Sequence, residues 1–288
     1  MIAKGNATRF GLRGAALLYL GFLLLAPVGL IFYRTFEHGL GPVIDTITTH
    51  TFLHALYISL LTVVIAVPLN TVFGVACALL LVRHEFRGKA LLNAVIDLPF
   101  VLSPIVIGLS LFLVYSQIGW FGPWLDDHGI QIIFSTPGIV LACIFVSLPF
   151  VVREVMPVLR EVGTEQEEAA STLGASAWQT FWRVTLPSIR WGVGYGMVLT
   201  TARVLGEFGA VTVVSGKVIG GTQTLPLLVP PYYESFDFTG AYTTAIVLAM
   251  LAFAALFAMQ RVSRRTDLVQ TSGVAPLGKE ATEPKEPV

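Results

Sequence analysis

Charge is scarce in this chain. Lys, Arg, Asp and Glu make up only 12% of the 288 residues, against 55% hydrophobic residues and a mean hydropathy of +0.75. A soluble domain of this length carries roughly twice that share of charge. An ordinary soluble domain is therefore excluded, and a chain that crosses a membrane several times is expected. Cysteine is nearly absent. Cys77 and Cys143 both fall inside apolar runs, with neither CxxC nor zinc spacing, which excludes a disulfide framework. They read as small buried hydrophobes. The five histidines lie in or beside loops at no metal-ligand spacing, so no metal site is expected. No GxxxxGK[ST] occurs, so the chain has no loop to cradle a nucleotide phosphate. Any ATP hydrolysis its activity draws on must be done by a separate subunit.

What is present is apolar length. A spanning helix needs about 20 mostly apolar residues, and six stretches qualify: near Gly14–Phe36, Ala55–Val82, Leu91–Tyr115, Pro137–Val155, Ile189–Ser215 and Gly240–Gln260. Pro68 and Asn70 interrupt the second. The first is too long for a signal peptide, and no small-x-small cleavage site follows it. The expected fold class is an all-α membrane protein with six transmembrane helices. Residues 1–13 form an amino-terminal tail, 14–262 the six-span domain, and 263–288 a polar tail that cannot bury enough apolar surface to fold alone.

The basic residues set the orientation. Fifteen of the 18 Lys and Arg residues fall in the two tails and in the loops between spans two and three and between spans four and five. The alternate loops hold only Arg34 and Lys217. This asymmetry places both termini and the loop between spans four and five on the cytoplasmic side of the membrane. The outer loops carry acidic residues and histidines instead. One of them, GGTQTLPLLVPPYYESFDF, is apolar and proline-paired, and is expected along the outer membrane face or against a partner.

The long inner loop contains EEAASTLGASAWQTFWRVTLP, residues 167–187. Thr164-x-x-Glu167 fits a capping box, and Glu165, Glu167 and Glu168 suit the positive end of a helix dipole. A short helix is expected from Glu165 to about Leu173, closed by Gly174 in the left-handed conformation. Ser176-x-x-Gln179 is a second capping box, opening a helix through Trp178–Arg183 that stops near Pro187. Ala169 with Leu173, and Ala170 with Gly174, share helix faces, where small side chains admit another surface. An anionic inner leaflet repels a run of glutamates, so the first helix is read as docking onto a protein. The aromatic second helix suits the lipid headgroups.

These residues carry a resemblance. Glu168-Ala169-Ala170, three residues, Gly174, nine residues, then Val184-x-Leu186-Pro187 resembles the EAA motif of the permease subunits of bacterial ABC importers, with Val184 where isoleucine is common. More widely, FRGKALLNAVIDLPFVLSPIVIGLSL, the loop sequence and ARVLGEFGAVTVVSG resemble sulfate/thiosulfate permeases over roughly residues 15–262. The resemblance implies the type I importer permease fold. It makes Glu165–Gly174 a coupling helix seated in a cleft of an ATP-hydrolysing subunit. It also implies a second permease (CysT-like), two ATPase subunits (CysA-like) that use ATP and Mg, and an extracytoplasmic sulfate-binding protein. No cofactor is expected on this chain, and no nucleic-acid partner. Molybdate permeases share these motifs, so molybdate or tungstate stays open as the anion. A secondary anion transporter would leave the EAA segment unexplained.

Charged residues inside the spans are expensive, at ~2.5–3.5 kcal/mol or more for a lone charge. Arg203 and Glu207 are four apart in the fifth span, hence expected on one helix face. Either they line a translocation path, Arg203 offering charge to an anion, or they form a structural pair. Ser103-Pro104, with Pro99, is expected to kink the third span and is a candidate gate. Gly108-Leu109-Ser110 resembles the GxS of intramembrane serine proteases. No histidine lies well inside a span to act as its base, there is no HExxH, and Asp97 has no second intramembrane aspartate, so an enzyme is not expected.

Overall fold

The computed structural model describes residues 3–271, and every regular element among them is a helix. In chain order these are α1 (Ala3–Phe36), α2 (Gly41–Thr48), α3 (His50–Arg83), α4 (Lys89–Val101), α5 (Pro104–Tyr115), α6 (Gly122–Asp127) and α7 (Thr136–Val162). Then follow α8 (Glu165–Thr172), α9 (Ala177–Thr180), a π turn (Phe181–Thr185), α10 (Leu186–Leu205), α11 (Gly209–Val214), α12 (Leu225–Glu234) and α13 (Phe238–Thr271). Residues 272–288 of the expected polar tail lie outside the described residues.

Four helices are long and apolar enough to cross a bilayer singly: α1 over Arg13–Phe36, α3, α7, and α13 over Phe238–Phe257. α4 and α5 would together make a fifth span, but they meet at 113°. The expected kink in the third span is thus a full break. Leu102 and Ser103 are extended, because the ring of a following proline disfavours the helical conformation of the residue before it. Pro104 then opens α5, where its missing N–H costs nothing. α10 has 20 residues, about 30 Å of helix and enough to cross. Two arginines and several glycines dilute its apolar character, so the sixth span rests on length alone.

The second span is not interrupted. α3 runs through Pro68 and Asn70, and Asn70 is fully buried against α7. Its Nδ2 donates to the Ile144 carbonyl at 3.1 Å and to Ser147 Oγ at 2.7 Å. In a medium without water such bonds have to be found within the protein.

α3, α7 and α10 form the centre of the bundle. Val75, Val151, Val155, Leu159 and Ile189 meet in one half of it, and Ile58, Ala66, Cys143 and Val204 in the other. Close approach depends on glycine. A Cβ on Gly74 would lie 2.7 Å from Val151 Cβ, and one on Gly196 would lie 2.8 Å from Val151 Cα. Small residues at such contacts let helix backbones approach where lipid supplies no hydrophobic drive.

The proline-paired segment, expected along a membrane face or against a partner, packs into the bundle instead. Leu225–Leu228 of α12 are buried against α3 and α13, and the Leu225 N–H donates to Ser59 Oγ at 2.9 Å. α1 packs on α13 and leaves Leu17, Phe22 and Leu25 exposed, as a lipid-facing helix does.

Candidate functional site

The loop between α7 and α10 folds as helix, glycine turn, helix. Gly174 adopts φ +84°. The Gly174 N–H bonds to the Ser171 carbonyl at 3.0 Å, and the Ala175 N–H to the Ala170 carbonyl at 3.1 Å. This pair of bonds satisfies the last carbonyls of α8 in the Schellman arrangement, which needs a left-handed residue between them. The Ser176–Gln179 capping box forms in both directions.

Two local expectations fail. The Thr164–Glu167 box does not form. Thr164 Oγ1 donates to Glu168 Oε1 at 2.7 Å, and Glu167 turns instead to Arg83 of α3 and Thr185 of the π turn. A two-pronged contact with a guanidinium is worth more than one backbone N–H at an exposed helix start. Nor does the second helix stop at Pro187. It passes through the π turn directly into α10. A proline inside a helix removes one backbone bond and crowds the carbonyl four residues earlier, and the widened turn over Phe181–Thr185 sits at that point.

α8 buries none of its residues, and Leu173 is 89% exposed. Glu165, Glu168 and Ala169 are exposed, and Ala170 is half-buried. Between α8 and the start of α10 runs an open groove of about 570 Å³, lined by Ala169, Ala170, Leu173, Arg183, Val184 and Pro187. Leu173 thus stands exposed beside Ala169 and Ala170, with Arg183 at the rim of the groove.

The second constellation lies where α10 gives way to α11. Arg203 and Glu207 are paired, Arg203 Nη2 to Glu207 Oε2 at 3.0 Å. They do not share one continuous helix, however. α10 ends at Leu205, and Glu207 sits in the break before α11. Its other oxygen accepts the Ala210 N–H at 2.8 Å, supplying the first turn of α11 with an acceptor. Glu207 is 2% exposed, while the Arg203 side chain is 35% exposed. Two glycines within four residues (Gly206, Gly209) weaken the helix here, and the glutamate holds the broken ends. The same region receives the other break. A Cβ on Gly209 would lie 3.0 Å from Pro104, and one on Gly108 would lie 2.6 Å from the Ala210 carbonyl. Pro104 is half-buried in this contact and Ser103 is exposed beside it. The Ser103–Pro104 and Arg203–Glu207 pairs therefore belong to one locus, where two interrupted helices meet.

Sequence reasoning missed three pairings. Arg83 counts there only as one more cytoplasmic cation. Arg153 counts as a loop residue, yet it lies in α7 and donates to Asp97 of α4 (Nε to Oδ1, 2.8 Å) and to Asn93 Oδ1 (3.1 Å). Asp97 thus has its counter-charge. Thr185 carried no signal at all.

The comparisons match this architecture. The family model described as binding-protein-dependent transport system inner membrane component matches residues 70–268. The chain belongs to that family. It is a membrane permease component of the multi-pass kind. Among curated relatives, the sulfate transport system permease protein CysW of Synechocystis sp. is 50% identical over 265 residues, 92% of this chain and 96% of that protein. The sulfate transport system permease protein CysT of Synechococcus elongatus is 40% identical, over 86% of this chain and 90% of that one. Among solved structures, a bacterial ABC transporter involved in alginate import superposes with a TM-score of 0.75 at 16% identity, over 91% of this chain and 96% of that chain. At that identity the superposition speaks for the permease fold alone.

Proposed function

We propose that this chain is a permease subunit of an ATP-driven importer that carries sulfate or thiosulfate across the cytoplasmic membrane. The observation that carries the anion is the 50% identity, over nearly the whole chain, to a sulfate transport permease. The exposed α8 and its groove support the ATP coupling, since a helix that buries nothing in its own chain needs a partner to seat it. That partner is an ATPase subunit, present in two copies and holding the ATP and Mg. The CysT relative supports a paired, CysT-like second permease. A loaded binding protein docks outside, and both termini face the cytoplasm.

The mechanism is alternating access. Closure of the ATPase subunits moves α8 through Ala169, Ala170, Leu173 and the Gly174 turn, with Glu165, Glu167 and Glu168 on its first turn. The spans then rotate. Where α5 meets α11, two helices are interrupted inside the bundle. Irregular backbone at membrane depth is tolerated where it is buried in protein or lines a water-filled path. The proposed path runs past Ser103 and Pro104, with Arg203 presenting positive charge and Glu207 holding it in place. Recognition by a binding protein outside leaves this path to be of low affinity.

The experiment is uptake of labelled sulfate in cells lacking this gene and other sulfate carriers, with and without the gene restored. Restored uptake that yields to thiosulfate but not to molybdate supports the reading. Uptake unchanged by the deletion, or competed by molybdate, refutes the anion assignment.

A further inference from the structure

The coupling role proposed for α8 requires that a push on it reach the spanning helices, and the following inference rests on that reading. α8 buries no residue, and its main backbone neighbours are α9 and the π turn, not a spanning helix. Apolar packing therefore does not tie it to the bundle.

One polar node does. Arg83 is the last residue of α3, with its side chain 12% exposed. Its Nε donates to Glu167 Oε2 and its Nη2 to Glu167 Oε1, both at 3.1 Å. Its Nη1 reaches the Leu159 carbonyl at 3.1 Å, and Nη2 also reaches the Gly163 carbonyl at 2.6 Å. Those carbonyls belong to the last turn of α7 and the residue just past it, where a helix lacks partners of its own and favours a cation. From the far side, Thr185 Oγ1 donates to Glu167 Oε1 at 2.9 Å. Both side chains of the pair are mostly covered, Arg83 12% and Glu167 22% exposed, so water screens the pair less than it screens a surface ion pair. One guanidinium thus joins the ends of α3 and α7 to the first turn of α8, and one carboxylate joins α8 to the head of α10.

We propose that Arg83 is the positioning residue that makes α8 rigid with the bundle, passing its motion into α3 and α7 directly and into α10 through Glu167 and Thr185. The planar fork is essential to this role. Lysine keeps the charge but is a point donor that cannot reach the carboxylate and two carbonyls in fixed directions.

The test has two arms. In the full-length chain, amide hydrogen exchange is followed over residues 165–172. Arg83→Gln, Arg83→Lys and Glu167→Gln are each expected to speed it by roughly tenfold or more, without change across the centre of α3 and α7. Arg83→Gln combined with Glu167→Gln is expected to be no worse than the more severe single variant, because both remove one node. In the complex with its ATPase subunits, sulfate moved per ATP hydrolysed is expected to fall in all three. Unchanged protection of α8 overturns the strut. Faster exchange with unchanged transport per ATP overturns its part in coupling. Should Arg83→Gln not assemble, Glu167→Gln leaves the α7 carbonyls capped and carries the same comparison. A wild-type complex that moves no sulfate refutes the anion assignment, while the exchange arm still decides the strut.

Discussion

At the scale of single residues, Gly174 and Arg203 do opposite kinds of work. Gly174 holds a left-handed turn, and a Cβ there would meet nothing within 4 Å in this chain. Any cost within the chain is therefore backbone strain, about 1–2 kcal/mol, with aspartate among the more tolerant residues. Gly174→Asp is expected to leave the melting temperature of the purified chain within a few degrees of wild type, yet to abolish ATP-driven uptake. A variant that transports normally would show that no partner closes on this turn. Arg203 presents its exposed part to the proposed path while its pair with Glu207 closes the helix break. Arg203→Gln is expected to assemble but to lower sulfate uptake at least about tenfold, the scale set by losing a charge-assisted contact. Near-normal uptake in a well-assembled complex would make the pair purely structural.

At the scale of elements, the bundle is held by what is missing from its helix faces. Gly196 and Gly194 stand two residues apart in α10, but only Gly196 faces Val151. Gly196→Ala is expected to destabilise by about 1–3 kcal/mol, because backbone has to move to admit the methyl group. Gly194→Ala, with open space around it, is expected to be neutral or to stabilise by up to ~1 kcal/mol through helix propensity. Thermal unfolding of the two variants in one detergent checks both. Equal effects would mean that α10 does not press on α7 as described. The helix–glycine turn–helix of α8 and α9 was legible in the sequence because its signals are local: an acidic first turn, a glycine closer, a Ser-x-x-Gln start. The breaks in the third and fifth spans were only half legible. Pro104 marked a kink in the third span, whereas Arg203 and Glu207 were expected on one helix face and the break between them was not. Whether a weak point bends, kinks or opens depends on what packs against it, here α5 on α11.

At the scale of the whole molecule, the proposed orientation rests on where the cations lie. Single cysteines placed in the outer loop near Lys217 and in the carboxyl tail, in a background free of Cys77 and Cys143, are expected to react oppositely with a membrane-impermeant thiol reagent in intact cells. The loop site is expected to label and the tail site not. The reverse pattern would invert the topology and place α8 outside, away from any ATPase.

Composition, apolar length and the spacing from Glu168 to Pro187 determined by themselves that the chain crosses a membrane repeatedly and carries a helix–glycine turn–helix between two of its long helices. Each rests on neighbours within a few residues, which a single sequence displays. Only the tertiary structure decided that Glu167 leaves its own helix start for Arg83, 84 residues away. It alone decided that Asp97 answers Arg153 across 56 residues, and that two broken helices share one locus. The reason is physical: in an apolar medium every polar group has to find a partner, but nothing local says which one. That choice belongs to the packing of α3, α7 and α10.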